Sequence, residues 1–310
     1  MNQNPIDVFG LGQSALDFLG TASAYPPPDT KCELNELLTQ GGGPVATALC
    51  ALSRWGHHCV FSSILGDDEY GTRIKESLKQ EGVDISQVVI RPESLSQIAF
   101  ILVQPDNGQR TIFWRRPTGQ PLSPEEVPEE YLQRARVLHT DGLLIDAALK
   151  AARTAQRYQI PTVVDAGTLR DGMLELARES NVFLASEKFG QALTGGDSPD
   201  KACQKLAELG PDVTAITLGE RGFVARINGK PVHMEAYPAQ PVDTTGAGDT
   251  FHAGFIHGLL SNWDAEKSLA FGAWTAARVV EHIGGRAGIP AASDFRYEEA
   301  KKETGKDQVH

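Results

Sequence analysis

Cysteine is scarce in this 310-residue chain: Cys32, Cys50, Cys59 and Cys203 are the only four. They lie far apart with no CxxC pair, so neither a disulfide framework nor a zinc knuckle is suggested. Reduced thiols fit a cytoplasm. The amino-terminal MNQNPIDVFG lacks both the basic start and the apolar core of a signal peptide, and no later apolar run reaches bilayer length. A soluble cytoplasmic protein without a membrane partner is expected. Basic residues are outnumbered, 29 against 40 Asp and Glu, giving a formal charge of −11 with no long basic run. That balance argues against a nucleic-acid partner. Neither a GxxxxGK[ST] loop nor an HRD or DFG pattern occurs, which excludes the P-loop and protein-kinase classes. No internal repeat or low-complexity segment appears, and PPPD near Pro26 reads as a loop.

Short apolar runs alternate with helical patterns. Val8 to Leu11, Cys59 to Leu65, Arg136 to Thr140, Ile160 to Val164, Val182 to Ala185 and Val213 to Leu218 read as buried strands of a mostly parallel sheet. DDEYGTRIKESLKQEG, LIDAALKAARTAQRYQ and SPDKACQKLAELG read as crossover helices. The expected fold class is a doubly wound three-layer α/β domain, single over residues 1–310. Two hairpins interrupt it, Ile98 to Val103 with Thr111 to Trp114, and Phe223 to Ile227 with Val232 to Ala236. Each carries an Asn-Gly pair that favours a type I′ turn.

The most informative stretch is Asp243-Thr244-Thr245-Gly246-Ala247-Gly248-Asp249. Phe251, Phe255, Ile256, Leu259 and Leu260 follow at helical spacing, so Gly246 to Gly248 are expected at a helix N-terminus. Unpaired amides and the positive end of the helix dipole suit an anion there, and glycine lets it come close. A bare GxGD is common in proteins that bind nothing. The full string DTTGAGDTFHAG, however, resembles the C-terminal signature of the PfkB, or ribokinase-like, family of carbohydrate and nucleoside kinases.

That resemblance covers nearly the whole chain. It implies a ribokinase-like fold with a small β lid inserted at about 19–40 and 97–116. It also implies phosphoryl transfer from ATP with Mg²⁺ to an alcohol, with Asp249 as base and the amides of Gly246, Ala247 and Gly248 as donors to the phosphoryl oxygens. Asp17 matches a family carboxylate that binds sugar hydroxyls, and Gly42 and Gly43 match a turn against the sugar. Thr217, Gly219 and Gly222 in TLGERG match a turn that meets ATP. Asp243 and Thr245 match ligands of a monovalent cation, K⁺.

Two departures stand out. Thr47 occupies the usual Asn of the GGxxxN turn, and Ser186 and Phe189 occupy the Asn and Glu of the NxxE motif, although Glu187 lies next door. Sugar recognition and metal handling therefore differ from the common pattern. For the substrate, RTIFWRRP resembles the arginine-bearing hairpin of 2-keto-3-deoxygluconate kinases, whereas GGGPVATA and GGRAGIP look closer to the sulfofructose kinase branch. Both act on anionic sugars, and Arg115 is the residue expected to meet the acidic group. DGLLID lacks the arginine that sulfosugar kinases carry there. The expectation is an ATP-dependent kinase of a small, acidic ketose or sugar acid. A nucleoside kinase is the alternative, and a sensor that has lost efficient chemistry is the alternative of another class. Exposed Phe100, Ile112, Phe113 and Trp114 on the lid would suit a homodimer.

Overall fold

A computed structural model describes residues 5–104 and 108–297. Thirteen strands occur among these: β1 Ile6–Leu11, β2 Ala15–Thr21, β3 Glu36–Gly42, β4 Cys59–Gly66, β5 Asp84–Arg91, β6 Ile98–Gln104, β7 Gln109–Arg115, β8 Ala135–Thr140, β9 Thr162–Ala166, β10 Val182–Ser186, β11 Val213–Thr217, β12 Phe223–Ile227 and β13 Lys230–Met234. The α-helices are α1 Pro44–Arg54, α2 Glu69–Gln80, α3 Glu129–Leu132, α4 Ile145–Arg157, α5 Met173–Arg178, α6 Glu187–Thr194, α7 Pro199–Ala207, α8 Ala247–Leu260 and α9 Ala265–Val279.

Nine strands form one sheet in the order β13-β12-β11-β10-β9-β8-β1-β4-β5, and only the β12 and β13 pairings are antiparallel. The pleat sends alternate residues to opposite faces. Val8 and Leu184 join a core with α1, α2, α8 and α9, while Phe9, Leu11, Phe183 and Ala185 join a second core with α4 to α7. Burial on both faces is what the unbroken apolar runs require, and the result is the three-layer ribokinase-like α/β fold.

The strand limits differ from the sequence reading where backbone chemistry overrides composition. The run from Ile160 starts as a strand only at Thr162, because Pro161 has no amide to donate. The half-buried edge strand β5, DISQVVIR, carries no continuous apolar run and escapes the reading. Asn228 and Gly229 both hold positive φ, 49° and 78°, as the type I′ turn demands. The equivalent turn at Asn107 lies outside the described residues.

A second sheet, ordered β3-β2-β6-β7, stands beside the C-terminal edge of the large one. β2 runs parallel to β6 and antiparallel to β3, and β6 runs antiparallel to β7. Leu19, Ala99, Ile101 and Val103 form a small core of their own on one face. Register places Asp17, Gln40, Ala99 and Trp114 side by side on that same face, with Arg110 opposite Val103 further along.

Candidate active site

Helix α8 starts at Ala247 with Gly246 as its cap residue at φ 77°. A Cβ at Gly246 would collide with the backbone of Gly285, so both conformation and space demand glycine. No side chain caps this helix, and the amides of Gly248 and Asp249 have no acceptor among the described residues. They are the orphan donors of a first helical turn. Thr250 closes the turn with its amide and hydroxyl, each 2.9 Å from the Gly246 carbonyl oxygen.

The DTT segment in front is fixed by Asp243, which is fully buried. Its Oδ1 accepts from the Thr245 amide at 2.9 Å and hydroxyl at 2.7 Å, and its Oδ2 accepts from the Gly284 amide at 2.8 Å. His252, one turn into α8, places Nδ1 2.6 Å from the Gly248 carbonyl oxygen and 3.4 Å from Asp165 Oδ2, with Nε2 3.2 Å from the Leu184 carbonyl oxygen. The glycine loop is thereby tied to β9 and β10.

Four carboxyl groups meet where strand ends face this loop. Asp17 projects from β2 and is 7% exposed. Asp141 follows β8, and Asp165 lies in β9. Burial pushes Asp17 up to about 6 despite the charge of Arg286, and pushes Asp141 up to about 7 although the Gln13 and Leu143 amides donate to it at 2.9 Å each. Asp249 is raised well above the ordinary carboxyl range, first by burial and then by the charge of Asp165, with Arg110 opposing and Asp17 and Asp141 adding to the rise. Asp165 is raised too, by burial, against His252 and Arg170. Asp249 and Asp17 therefore share one cleft, and a carboxyl whose proton affinity is raised suits a general base.

The residues expected to meet the sugar converge as well. Gly42 faces the Asp17 carboxylate, and a Cβ there would overlap it. Gly43, at φ 100°, caps α1. Thr47 sits buried in the first turn of that helix.

Arg115 does not fit its expected role. Alternation along β7 turns it to the face opposite Asp17, and its Nη2 donates to the Ser96 carbonyl oxygen at 3.2 Å. Arg110, five residues earlier and so on the other face, reaches the site and donates to Thr244 Oγ1. Arg116 stacks over Trp114 at 4.8 Å.

Of the residues expected to meet the nucleotide, Thr217 ends β11 level with Ser186, and its hydroxyl donates to the Ala185 carbonyl oxygen at 3.4 Å. Gly219 and Gly222 take φ 62° and 80° on either side of a short turn. Glu187 pairs with Arg221 at 2.6 Å across this edge. The NxxE positions are structural: Ser186 caps α6 by accepting from the Phe189 amide at 3.1 Å, and Phe189 is fully buried.

Among the described residues no group of three or more His, Cys, Asp or Glu could hold a metal. The site fits a Mg²⁺ that keeps water and phosphate ligands, the ion's common habit, rather than one in a protein cage. Asp141, Asp165 and His252 escaped the sequence reading. Their signal was polar residues at the ends of apolar runs, Thr-Asp-Gly after β8 and Val-Val-Asp-Ala in β9, which in α/β sheets marks the ligand edge.

Known proteins resemble the chain over nearly its whole length. The pattern described as pfkB family carbohydrate kinase matches residues 6–292. A nucleoside kinase of Methanothermobacter thermautotrophicus is 24% identical over 291 residues, covering 92% of each chain. A 5-dehydro-2-deoxygluconokinase of Clostridium tetani is 25% identical over 329 residues, covering 98% of this chain and 96% of its own. The fold matches a structure titled as a putative ribokinase II from E. coli in complex with ATP and Mg²⁺, with a TM-score of 0.79, 23% identity and coverage of 96% and 98%. No helix among the described residues is long and apolar enough to cross a membrane.

Proposed function

The chain belongs to the pfkB family of carbohydrate kinases, and from that premise we propose that it transfers the terminal phosphoryl group of ATP to a hydroxyl of a small anionic sugar, a ketose or sugar acid. The observation that carries the acidic acceptor is Arg110, a lid guanidinium on the face of Asp17 whose charge bears on Asp249. An anion on the sugar would give this guanidinium a forked partner. Asp17, with Gly42, Gly43 and Thr47 behind it, receives the sugar hydroxyls. Asp249 takes the acceptor proton, and its raised proton affinity favours that transfer. Gly246, Ala247 and Gly248 bring backbone amides against the migrating group.

Thr217, Gly219 and Gly222 lie where the nucleotide would rest. Bound Mg²⁺ would supply positive charge against the phosphoryl oxygens. Asp243 and Thr245 are the proposed side-chain contribution to a K⁺ site. The reaction draws on cytoplasmic ATP.

The test is ADP release across ketoses, sugar acids, their neutral analogues and nucleosides, with and without K⁺. Turnover of acidic sugars above their neutral analogues is expected, and a preference for neutral sugars would overturn the acidic acceptor. A nucleoside acceptor is the second reading. It is favoured by the Methanothermobacter relative and by half-exposed Trp114 on the Asp17 face, where a base could stack. Preference for adenosine or inosine over every sugar would establish it. We further propose a second copy of the chain as partner, docked on the outer face of the small sheet.

A further inference from the structure

Behind the glycine pair lies a cavity of about 330 Å³. Thr39 to Gly41 of β3, one side of α2 and the turn after α9 enclose it. Gly41 pairs with Leu16 and so faces away from Asp17, which places this cavity across the strand from the phosphoryl cleft.

Its deepest group is Arg286, 4% exposed. Nη1 donates to Ser77 Oγ at 2.9 Å, Nε has no acceptor, and no carboxylate pairs with the guanidinium among the described residues. Gly41 makes room for it: a Cβ there would stand 2.7 and 2.8 Å from Nη1 and Nη2. Arg73 of α2 also lines the cavity, lying 5.9 Å from the Phe18 ring centroid with no carboxylate against it among the described residues. The third guanidinium, Arg54, is already committed. It grips Glu81 with two bonds of 2.7 Å and donates to the Arg286 carbonyl oxygen at 2.6 Å. Glu81 is thereby neutralised, and exposed Glu76 at the rim is the remaining carboxylate of the lining.

A buried guanidinium that feels the charge of Asp17 only at a distance, with no carboxylate bonded to it among the described residues, is costly. Its planar fork matches the oxygens of a phosphoryl group. Two guanidiniums with no carboxylate bonded to them among the described residues, a serine hydroxyl and the Gln80 amide around one cavity have the donors such a group needs, with exposed Glu76 as the opposing carboxylate at the rim.

We propose that this cavity binds a phosphoryl oxyanion, either free phosphate or a small phosphomonoester, between Arg286 and Arg73. Ser77 and Gln80 complete the donor set. The site is shared by the small sheet and the body and does not depend on which sugar is the acceptor, so its test stands apart from the substrate screen.

Binding of inorganic phosphate to the full chain is measured by equilibrium dialysis with and without a saturating non-hydrolysable ATP analogue, whose terminal phosphoryl group fills the phosphoryl cleft. One equivalent is expected, weakened at least about tenfold in Arg73→Glu, where repulsion replaces a charge-assisted contact. The position of Arg73 on a half-exposed helix face leaves the fold and the turnover number unchanged in that variant. Arg286→Met, which keeps volume and removes charge, is expected to abolish binding where it folds; Arg73→Glu carries the test otherwise. Competition by glycerol phosphate separates the two ligand sources. Tighter binding than phosphate assigns an ester, weaker binding the free ion, and either supports the site. No binding at millimolar phosphate overturns the proposal. So does phosphate that the ATP analogue displaces and Arg73→Glu leaves untouched, which would put the ion on the α8 amides.

Discussion

Asp17 and Gly42 occupy one space: the carboxylate of the first lies where a side chain on the second would stand. The glycine is needed for what faces it, whatever its own backbone conformation. Gly42→Ala must therefore push Asp17 off its position. Loss of a charged hydrogen bond to the sugar is worth about 1.5–3 kcal/mol, so KM for the sugar is expected to rise by about 10- to 100-fold. KM for ATP should stay within about twofold, since the nucleotide side is untouched. An unchanged sugar KM would remove Asp17 from the sugar site.

As the proposed base, Asp249 would meet the acceptor only as a proton is transferred. Asp249→Asn keeps size and hydrogen bonding but cannot take that proton, so kcat is expected to fall by about 10²–10⁴-fold with the ATP dissociation constant nearly unchanged. Pre-steady-state ADP formation measures the step directly. Normal turnover would assign the base elsewhere.

How far the sequence could be read depended on whether a feature was local. DTTGAGD announces a loop, a helix start and a carboxylate within seven neighbouring residues, and α8 begins at Ala247 as that spacing requires. Arg110 against Arg115 is a question of strand phase. The side of β7 that faces the cleft is set by pairing with β6 and β2, which no residue in RTIFWRRP encodes. Asp141 and Asp165 are far apart in sequence and become neighbours only because β8 and β9 are adjacent in the sheet. Ser186 reads as a lost ligand in the motif and proves to be a helix cap.

The raised carboxyl of Asp17 has a consequence for stability. Its folded value of about 6 exceeds the ordinary 3.8, so the folded state holds the proton more tightly than the unfolded chain. That contribution is complete below about pH 4 and is lost as pH rises through about 6. Two units correspond to about 3 kcal/mol. Ligand-free Asp17→Asn should accordingly gain stability relative to the parent by up to about 3 kcal/mol between pH 4 and pH 7. Buried His139 and half-buried His257, held low at about 3 and about 4, act in the opposite sense in both proteins and cancel in the difference. Urea unfolding at several pH values provides the measurement. A pH-independent difference would place Asp17 in a solvated setting.

Arg110 bears on substrate choice. Arg110→Ala removes the guanidinium from the Asp17 face while Arg115 stays on the other side of the strand. The loss should raise KM for an acidic sugar by about 10- to 100-fold, following the worth of a charged hydrogen bond, and leave its neutral analogue nearly unaffected. Equal losses for both would make Arg110 a tie between the lid and Thr244 and nothing more.

The outer face of the small sheet presents Phe100 and Phe113 directly across from one another, 54% and 55% exposed, with Leu37 at 64% nearby. Phe18 stacks on Phe100 at 5.1 Å and completes an apolar strip on a sheet whose edge strand β7 has a free side. Such a strip beside an open edge favours association. Light scattering at micromolar concentration is expected to give twice the chain mass of 33.5 kDa. Phe113→Asp should return the mass to one chain, because two copies would bring like charges into an apolar contact. The fold should survive, since this side chain packs on the surface of the sheet and outside its small core. A parent protein that runs as a single chain would end the case for a homodimer and leave the strip to cover substrate.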